Sequence, residues 1–260
     1  MTVLEYFKDI LPRFDSDLSK RLKQSLGKRG IEINTQAQVT GITIDDSSVY
    51  KVSYIRKGKE ETVEADKVLM AVGRKANVDS LNLADAGIKF TPRGIVVDDR
   101  TMQTNVPHIY AIGDINGKMM LAHAATFQGI VALDHIMGIE NNIDLSVMPA
   151  AVFTTPEAAS VGMTEDECKE AGRSVKCLKS FFRANGKAVT MAQTDGFCKL
   201  VVDAETGEIL GCHLFGPHAS DIVQEVCALI SRKATIEQFK DIIHTHPTLT
   251  EVLQSAAHNG

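Results

Sequence analysis

The stretch after residue 150 limits the fold most. VKCLKSFF, FCKLVVD and EILGCHLFG follow one another as short apolar-rich runs, and only the tight turn ETG joins the last two. Runs of β-branched and aromatic residues bounded by turn residues predict strands, and a connection this short permits only antiparallel pairing. AAVF (150–153) reads as a further strand, and TEDE (164–167) as a capping box that opens a short helix. In ASDIVQEVCALISRKA, Ile222, Val226, Leu229 and Ile230 share one helical face, so a helix should cover the sheet. The expectation is an α+β unit with its helices on one side of an antiparallel sheet.

The chain opens differently. TVLEYF reads as a short strand, Leu18, Leu22 and Leu26 form a helical stripe that Gly27 and Gly30 end, and IEI resumes a strand. From VTGITIDDSS onward, alternating strands around polar turns close on the apolar run KVLMAV, as expected of a strand entering a nucleotide-binding sheet. A second stretch begins at Arg74. It runs through IVVDDRTMQTNVPHIYAIGDI to the helical pattern MLAHAATFQGIVALDHIMG, and the polar segment ENNIDLSVMP separates it from the third.

Bulk properties exclude several classes. The 260 residues are 44% apolar, enough for a large domain or two modest ones. Net charge is -5 with dispersed basic residues, so a nucleic-acid surface has no electrostatic support. No apolar run approaches the roughly 20 residues of a membrane span, and MTVLEYFKDI lacks a signal-peptide layout. Cysteines at 168, 177, 198, 212 and 227 fit neither a disulfide framework nor a zinc ribbon, which suggests a reducing compartment and inert thiols.

Four places carry residues suited to chemistry. Glu5 ends the first strand, where an acidic side chain in dinucleotide folds accepts hydrogen bonds from ribose hydroxyls; otherwise it is a solvated strand end. AVGR (71–74) ends on a glycine, Gly73, that lets backbone approach a ligand, or simply makes a loop. IYAIGD (109–114) reads as a four-residue strand that breaks at Gly113 and presents Asp114 at its carboxyl end; seven residues on, MLAH starts a helix with free backbone N–H groups. In HTHPTLTEVL (244–253), Pro247 keeps His246 out of helical geometry and Glu251 falls in the first turn of a helix, where it could hold one ring nitrogen. That is the wiring of a general base. The alternative is a solvated loop with Thr248 as helix cap and Glu251 complementing the dipole. A metal site at His244 and His246 lacks a third ligand at useful spacing.

These marks, with the segment ANGKAVTMAQTDGFCKLV, stand together in the order found in the pyridine nucleotide-disulfide oxidoreductases. The chain resembles the C-terminal half or more of that family, most closely its dihydrolipoyl dehydrogenase branch. The resemblance implies an α/β, partial Rossmann-like region followed by an α+β interface domain: residues 1–73 as an incomplete NAD-binding domain, 74–143 as a return segment of the FAD domain, and 148–260 as the dimerisation domain. It implies NAD contacts at Glu5, Val39 and Gly73, FAD contacts at Asp114, Leu121, Ala122 and His123, and a catalytic pair His246 and Glu251. It further implies a homodimer serving the lipoyl domain of a 2-oxo acid dehydrogenase or glycine cleavage complex, in the cytoplasm or alternatively the mitochondrial matrix. The family's GxGxxG fingerprints and CxxxxC redox disulfide are absent from these residues, so the chain resembles a fragment that would not turn over alone. Ala76 and Ala124 stand where the family often has proline and lysine. Glutathione and mercuric reductases are the rival enzymes, opposed by Glu5 and by a C-terminus, HNG, without cysteines. A non-catalytic dimerisation protein is the rival of another class.

Overall fold

A computed structural model describes all 260 residues. They form two compact units, one made of Met1–Met70 with Pro149–Gly260, the other of Ala71–Met148. No helix is long and apolar enough to cross a membrane.

In the first unit β1 (Thr2–Glu5) and β2 (Glu32–Thr35) pair in parallel, with Thr2 opposite Glu32 and Glu5 opposite Thr35, across the helix α1 (Ser16–Lys28). A parallel pair needs such a crossover. Asp15 starts α1 by accepting the Asp17 backbone N–H, and the leucine stripe buries Leu18 and Leu22. β3 (Ala37–Ile44), β4 (Tyr50–Arg56) and β5 (Lys59–Ala65) then form an antiparallel meander, with a register shift between Val39 and Gly41. The apolar run KVLMAV does not become a strand: residues 67–72 have no ladder partner, and Leu69, Met70 and Val72 are exposed. Apolar composition suits a buried strand, but only neighbouring strands can satisfy its backbone.

The second unit holds the short hairpin β6 (Phe90–Thr91) and β7 (Gly94–Ile95), a 3-10 turn over Gly113–Asn116, and the helix α2 (Ala122–Met137). Leu83, Ile88, Ile95 and Ala111 form its core. Instead of the expected four-residue strand, IYAIGD makes a single bridge, Gln103 with Tyr110, before the turn. The same lack of a flanking strand explains the difference.

The chain then returns to the first unit. β8 (Ala150–Val152), β9 (Glu157–Gly162), β10 (Val175–Phe181), β11 (Phe197–Asp203) and β12 (Ile209–Gly216) form an antiparallel sheet in the order β10-β11-β12-β9-β8. α3 (Glu165–Glu170) carries the expected capping box, Thr164 with Glu167. α4 (Gly186–Thr190), α5 (Ala219–Ser231), α6 (Ile236–Lys240) and α7 (Glu251–His258) complete it. β9, EAASVG, is the strand that its alanine-rich sequence does not announce. Helices lie on both faces of the sheet, not on one. Ser180 stands opposite Cys198, and its hydroxyl donates to the Val252 carbonyl of α7 at 2.5 Å. On the other face Phe197, Phe215 and Ala158 pack against Leu18 and Leu22 of α1.

A buried lysine explains why α1 belongs there. Lys199 and Asp15 are both at most 1% exposed. The Lys199 ammonium donates to Asp15 at 2.9 Å, Asp17 at 3.0 Å and Glu165 at 2.7 Å, joining β11 to the start of α1 and to α3. Burial alone would lower the basicity of Lys199; its bonds to Glu165, Asp15 and Asp17 outweigh that and hold it above an ordinary lysine. Across the ladder His213 sits in the same layer, fully buried. Its Nδ1 accepts from Ser160 Oγ at 2.7 Å while Nε2 donates to the Met163 carbonyl at 3.1 Å, and burial pushes its pKa down.

Lys199→Met should leave Asp15 as an uncompensated buried charge and cost about 3–5 kcal/mol in urea denaturation, the usual scale for breaking a buried pair. The wild type should also be acid-sensitive in a defined window. Burial pushes Asp17 up, but bonds from Lys179 and Lys199 hold it at about 2; Lys169 and Lys199 hold Glu165 at about 2, against 4.5 for a free glutamate. Depressed carboxylates stabilise the fold fully above their unfolded values and lose that contribution as pH falls through the folded ones. Urea midpoints should therefore drop between about pH 4.5 and pH 2, and the drop should be smaller in Lys199→Met; equal slopes would place the acid sensitivity elsewhere.

Candidate active site

The bend at 244–250 is built from its own residues. The His246–Pro247 peptide is cis, and Glu251 is the first residue of α7. One Glu251 oxygen accepts the Thr248 backbone N–H at 2.7 Å, and the other accepts from His246 Nδ1 at 2.9 Å. A carboxylate can only accept, so Nδ1 carries the proton and Nε2 keeps its lone pair. The His246 side chain is 77% exposed, leaving Nε2 open to a reactant. The Thr248 N–H and then His246 hold the Glu251 carboxyl below its usual pKa, so it remains ionised as a partner. Thr248 does not cap the helix with its side chain, which donates to the Thr245 carbonyl instead.

Residues remote in sequence hold this bend. Asn185, buried, donates to the Thr248 carbonyl at 3.0 Å while its own oxygen accepts the Ala188 N–H at 2.9 Å and starts α4. Ser180 fixes α7 through Val252. Sequence reasoning missed both. The N-cap signal of an asparagine before GKAV was present, but its second bond spans 63 positions and leaves no local trace.

Within Ala71–Met148, Asp114 lies exposed in the first turn of the 3-10 helix, after Gly113 at φ 75°. Gln128 on α2, buried, accepts the Gly113 N–H at 2.7 Å and the Asn116 side chain at 2.8 Å, and Asn116 donates in turn to the Ala111 carbonyl at 3.0 Å. This network ties the Asp114 turn to the helix that carries Leu121, Ala122 and His123 at its start. Leu121 occupies the N-cap position and offers no capping side chain, so the helix N-terminus keeps donors and positive dipole character for a ligand. Gly73, in the same unit, adopts φ 101°, a left-handed conformation that glycine takes without strain, with open space around its Cα.

Glu5 and Val39 lie in the first unit. Glu5 ends β1 and uses one oxygen to accept the Phe7 N–H at 2.7 Å, leaving the other for hydroxyl donors. Val39 is exposed on β3 at the register shift. The structure thus joins His246 to Glu251 directly, and joins the Asp114 turn to α2 through Gln128.

The chain matches two family models: pyridine nucleotide-disulphide oxidoreductase over residues 1–129, and the dimerisation domain of the same family over 148–257. It is 42% identical to a dihydrolipoyl dehydrogenase of Bacillus subtilis over 258 residues, covering 99% of this chain and 55% of the relative. It is 40% identical to one from Corynebacterium glutamicum over 264 residues, covering 99% and 56%. Among solved structures it is similar to LpdA from Mycobacterium tuberculosis, with TM-score 0.89 and 27% identity over 99% of this chain and 55% of that one. The flavoprotein disulfide reductase RclA from Escherichia coli superposes with TM-score 0.83 at 26% identity, covering 99% and 58%. The chain spans about half the length of the curated relatives it matches. By both family models and by its relatives, the chain belongs to the pyridine nucleotide-disulphide oxidoreductase family.

Proposed function

We propose that this chain acts in the oxidation of dihydrolipoyl groups, as this portion of a dihydrolipoyl dehydrogenase-type flavoprotein that passes electrons through a disulfide and FAD to NAD. The observation that carries the reading is the His246–Glu251 pair, with Nδ1–H donated to a carboxylate and Nε2 exposed. In disulfide exchange the thiolate is the competent nucleophile, so a base must take the thiol proton. His246 Nε2 accepts it, and Glu251 stabilises the resulting imidazolium at Nδ1. As the leaving thiolate forms, the same nitrogen returns the proton. The disulfide that exchanges with the substrate is of the CxxxxC type, which these residues lack; in the family it belongs to the opposite subunit.

When bound, FAD supplies the electron acceptor and NAD the hydride carrier. The residues present suit both. Asp114 and the uncapped start of α2 at Leu121, Ala122 and His123 offer an acceptor and backbone donors to FAD. Glu5 offers a carboxylate oxygen to ribose hydroxyls, and Val39 and Gly73 offer apolar surface and close backbone approach to NAD. Residues 1–73, 74–143 and 148–260 correspond on this reading to part of the NAD domain, the FAD-domain return segment and the dimerisation domain. The partners are a second copy and the lipoyl domain of a 2-oxo acid dehydrogenase or glycine cleavage complex, and the compartment is the cytoplasm.

In a full-length flavoenzyme carrying this chain, His246→Gln should retain FAD and slow flavin reduction by dihydrolipoamide roughly 100- to 10,000-fold, the scale of a positioned acid-base group. Glu251→Gln should cost less, because the base remains. Stopped-flow absorbance of the flavin measures both, and a His246→Gln enzyme reduced at the wild-type rate would return the bend to a solvated loop. Glu5→Arg should narrow the preference for NAD over NADP, since an arginine at that oxygen attracts the 2′-phosphate that a carboxylate repels. Unchanged kcat/KM for both coenzymes would remove Glu5 from the coenzyme site.

A further inference from the structure

The first histidine of HTHPTLTEVL has a different environment from the second. Between Asp241 and Pro247 every residue except His244 is exposed, and Ile243 reaches 96%. The His244 side chain is only 4% exposed. Its Nδ1 donates to the Ile242 carbonyl at 3.0 Å, and the edge of the Phe239 ring from α6 closes one side at 5.6 Å between centroids. Its Nε2 is buried without an in-line hydrogen-bond partner, and Glu225 Oε1 on α5 lies 3.0 Å away, so with both ring nitrogens facing acceptors the contact is an ion pair made by the doubly protonated ring. His244 is therefore the one buried side chain of a seven-residue segment, and a carboxylate from a different helix stands beside it.

We infer that Glu225 and His244 form a positioning pair that sets the orientation of the His246 ring. His246 is two residues on, exposed, and oriented directly by Glu251 alone. Glu251 and Asn185 fix the C-terminal side of the bend, at Thr248 and beyond. On the N-terminal side the Ile242 N–H donates to the Phe239 carbonyl at 3.1 Å and the Thr245 carbonyl accepts from Thr248, but His244 is the one side chain between them that is buried, with Ile242, Ile243 and Thr245 standing in solvent. Releasing His244 from Glu225 loosens the backbone between the bonds at Ile242 and Thr245, so the His246 ring loses its alignment with Glu251. A solvent-exposed imidazole without that alignment has no reason to keep its proton on Nδ1. The pair acts through His246 and touches no reactant, and the inference rests on His246 being the oriented base.

The tautomer of His246 reads this directly in the 260-residue chain. With 15N-labelled histidine, long-range proton–nitrogen correlations at about pH 8, above the ordinary range of a free imidazole, give the Nδ1–H to Nε2–H ratio of the His246 ring. His246→Gln identifies the His246 signals. The wild type should show His246 as the Nδ1–H form. Glu225→Gln and His244→Gln should each lower that ratio about fivefold, the scale of coupling within one bonded network, and the double variant should lower it no further than either single change. His244→Gln reaches the same contact from the bend if Glu225→Gln weakens the packing of α5. General destabilisation does not produce this pattern, since it leaves the ratio in the folded molecules unchanged. Wild-type ratios in both single variants, or additive losses in the double variant, would overturn the pair while leaving His246 as the base. A wild-type His246 with its proton on Nε2 would overturn the base reading itself, and the pair with it.

Discussion

The buried ammonium of Lys199 is the constraint that the first unit is arranged around. An isolated charge in a protein interior costs several kcal/mol, so the fold must bring anions to it. Asp15, Asp17 and Glu165 arrive from two places in the sequence, the start of α1 and the start of α3. Asp15 has two tasks there: its carboxylate accepts an N–H of the first turn of α1 and the lysine proton together. Once this contact is made, α1 lies on the sheet face of Phe197 and Phe215, and β1 and β2 follow it because the crossover is short. The strand end that carries Glu5 and the helix that carries Glu251 thus belong to one compact body although about 245 residues of chain lie between them.

The His246 bend shows how an exposed side chain is held by buried ones. The base role proposed for His246 needs an open ring, and openness removes the packing that normally fixes one. The support therefore comes from beneath. Glu251 is locked by the Thr248 N–H, Thr248 by Asn185, and the first turn of α7 by Ser180 on β10. Each of these partners is more buried than His246, and each is a neutral side chain or a backbone group whose hydrogen bond survives near the sheet. Gln128 and Asn116 do the same for the Asp114 turn in the second unit, where a segment without a strand ladder is held by side-chain amides.

Features that depend on a few consecutive residues were legible in the sequence. The TEDE capping box, the ETG turn, the leucine stripe of α1 and the reach of Glu251 back to His246 are all set by local geometry, and each stands in the structure as its spacing implies. KVLMAV and IYAIGD have the composition of strands and are not strands here, because pairing is a property of two segments. β9 shows the converse: EAASVG has weak strand propensity yet lies between β12 and β8, where both its edges are paired.

What the sequence by itself determined was the inventory: an antiparallel C-terminal sheet, a strand–helix–strand opening, and a histidine and glutamate spaced to meet. The tertiary structure decided which side each element faces and what supports each site residue. It placed α1 across the far face of the sheet through a lysine 184 positions from its aspartate, and put Asn185, Ser180 and Glu225 against the bend of residues 244–250 and the helix that follows it. The physical reason is one of range. Capping, turn and i-to-i+5 contacts are governed by torsions of adjacent residues, which sequence spacing encodes. Burial of a charge or an amide is satisfied by whichever partner the folded chain delivers, and sequence separation does not restrict that partner.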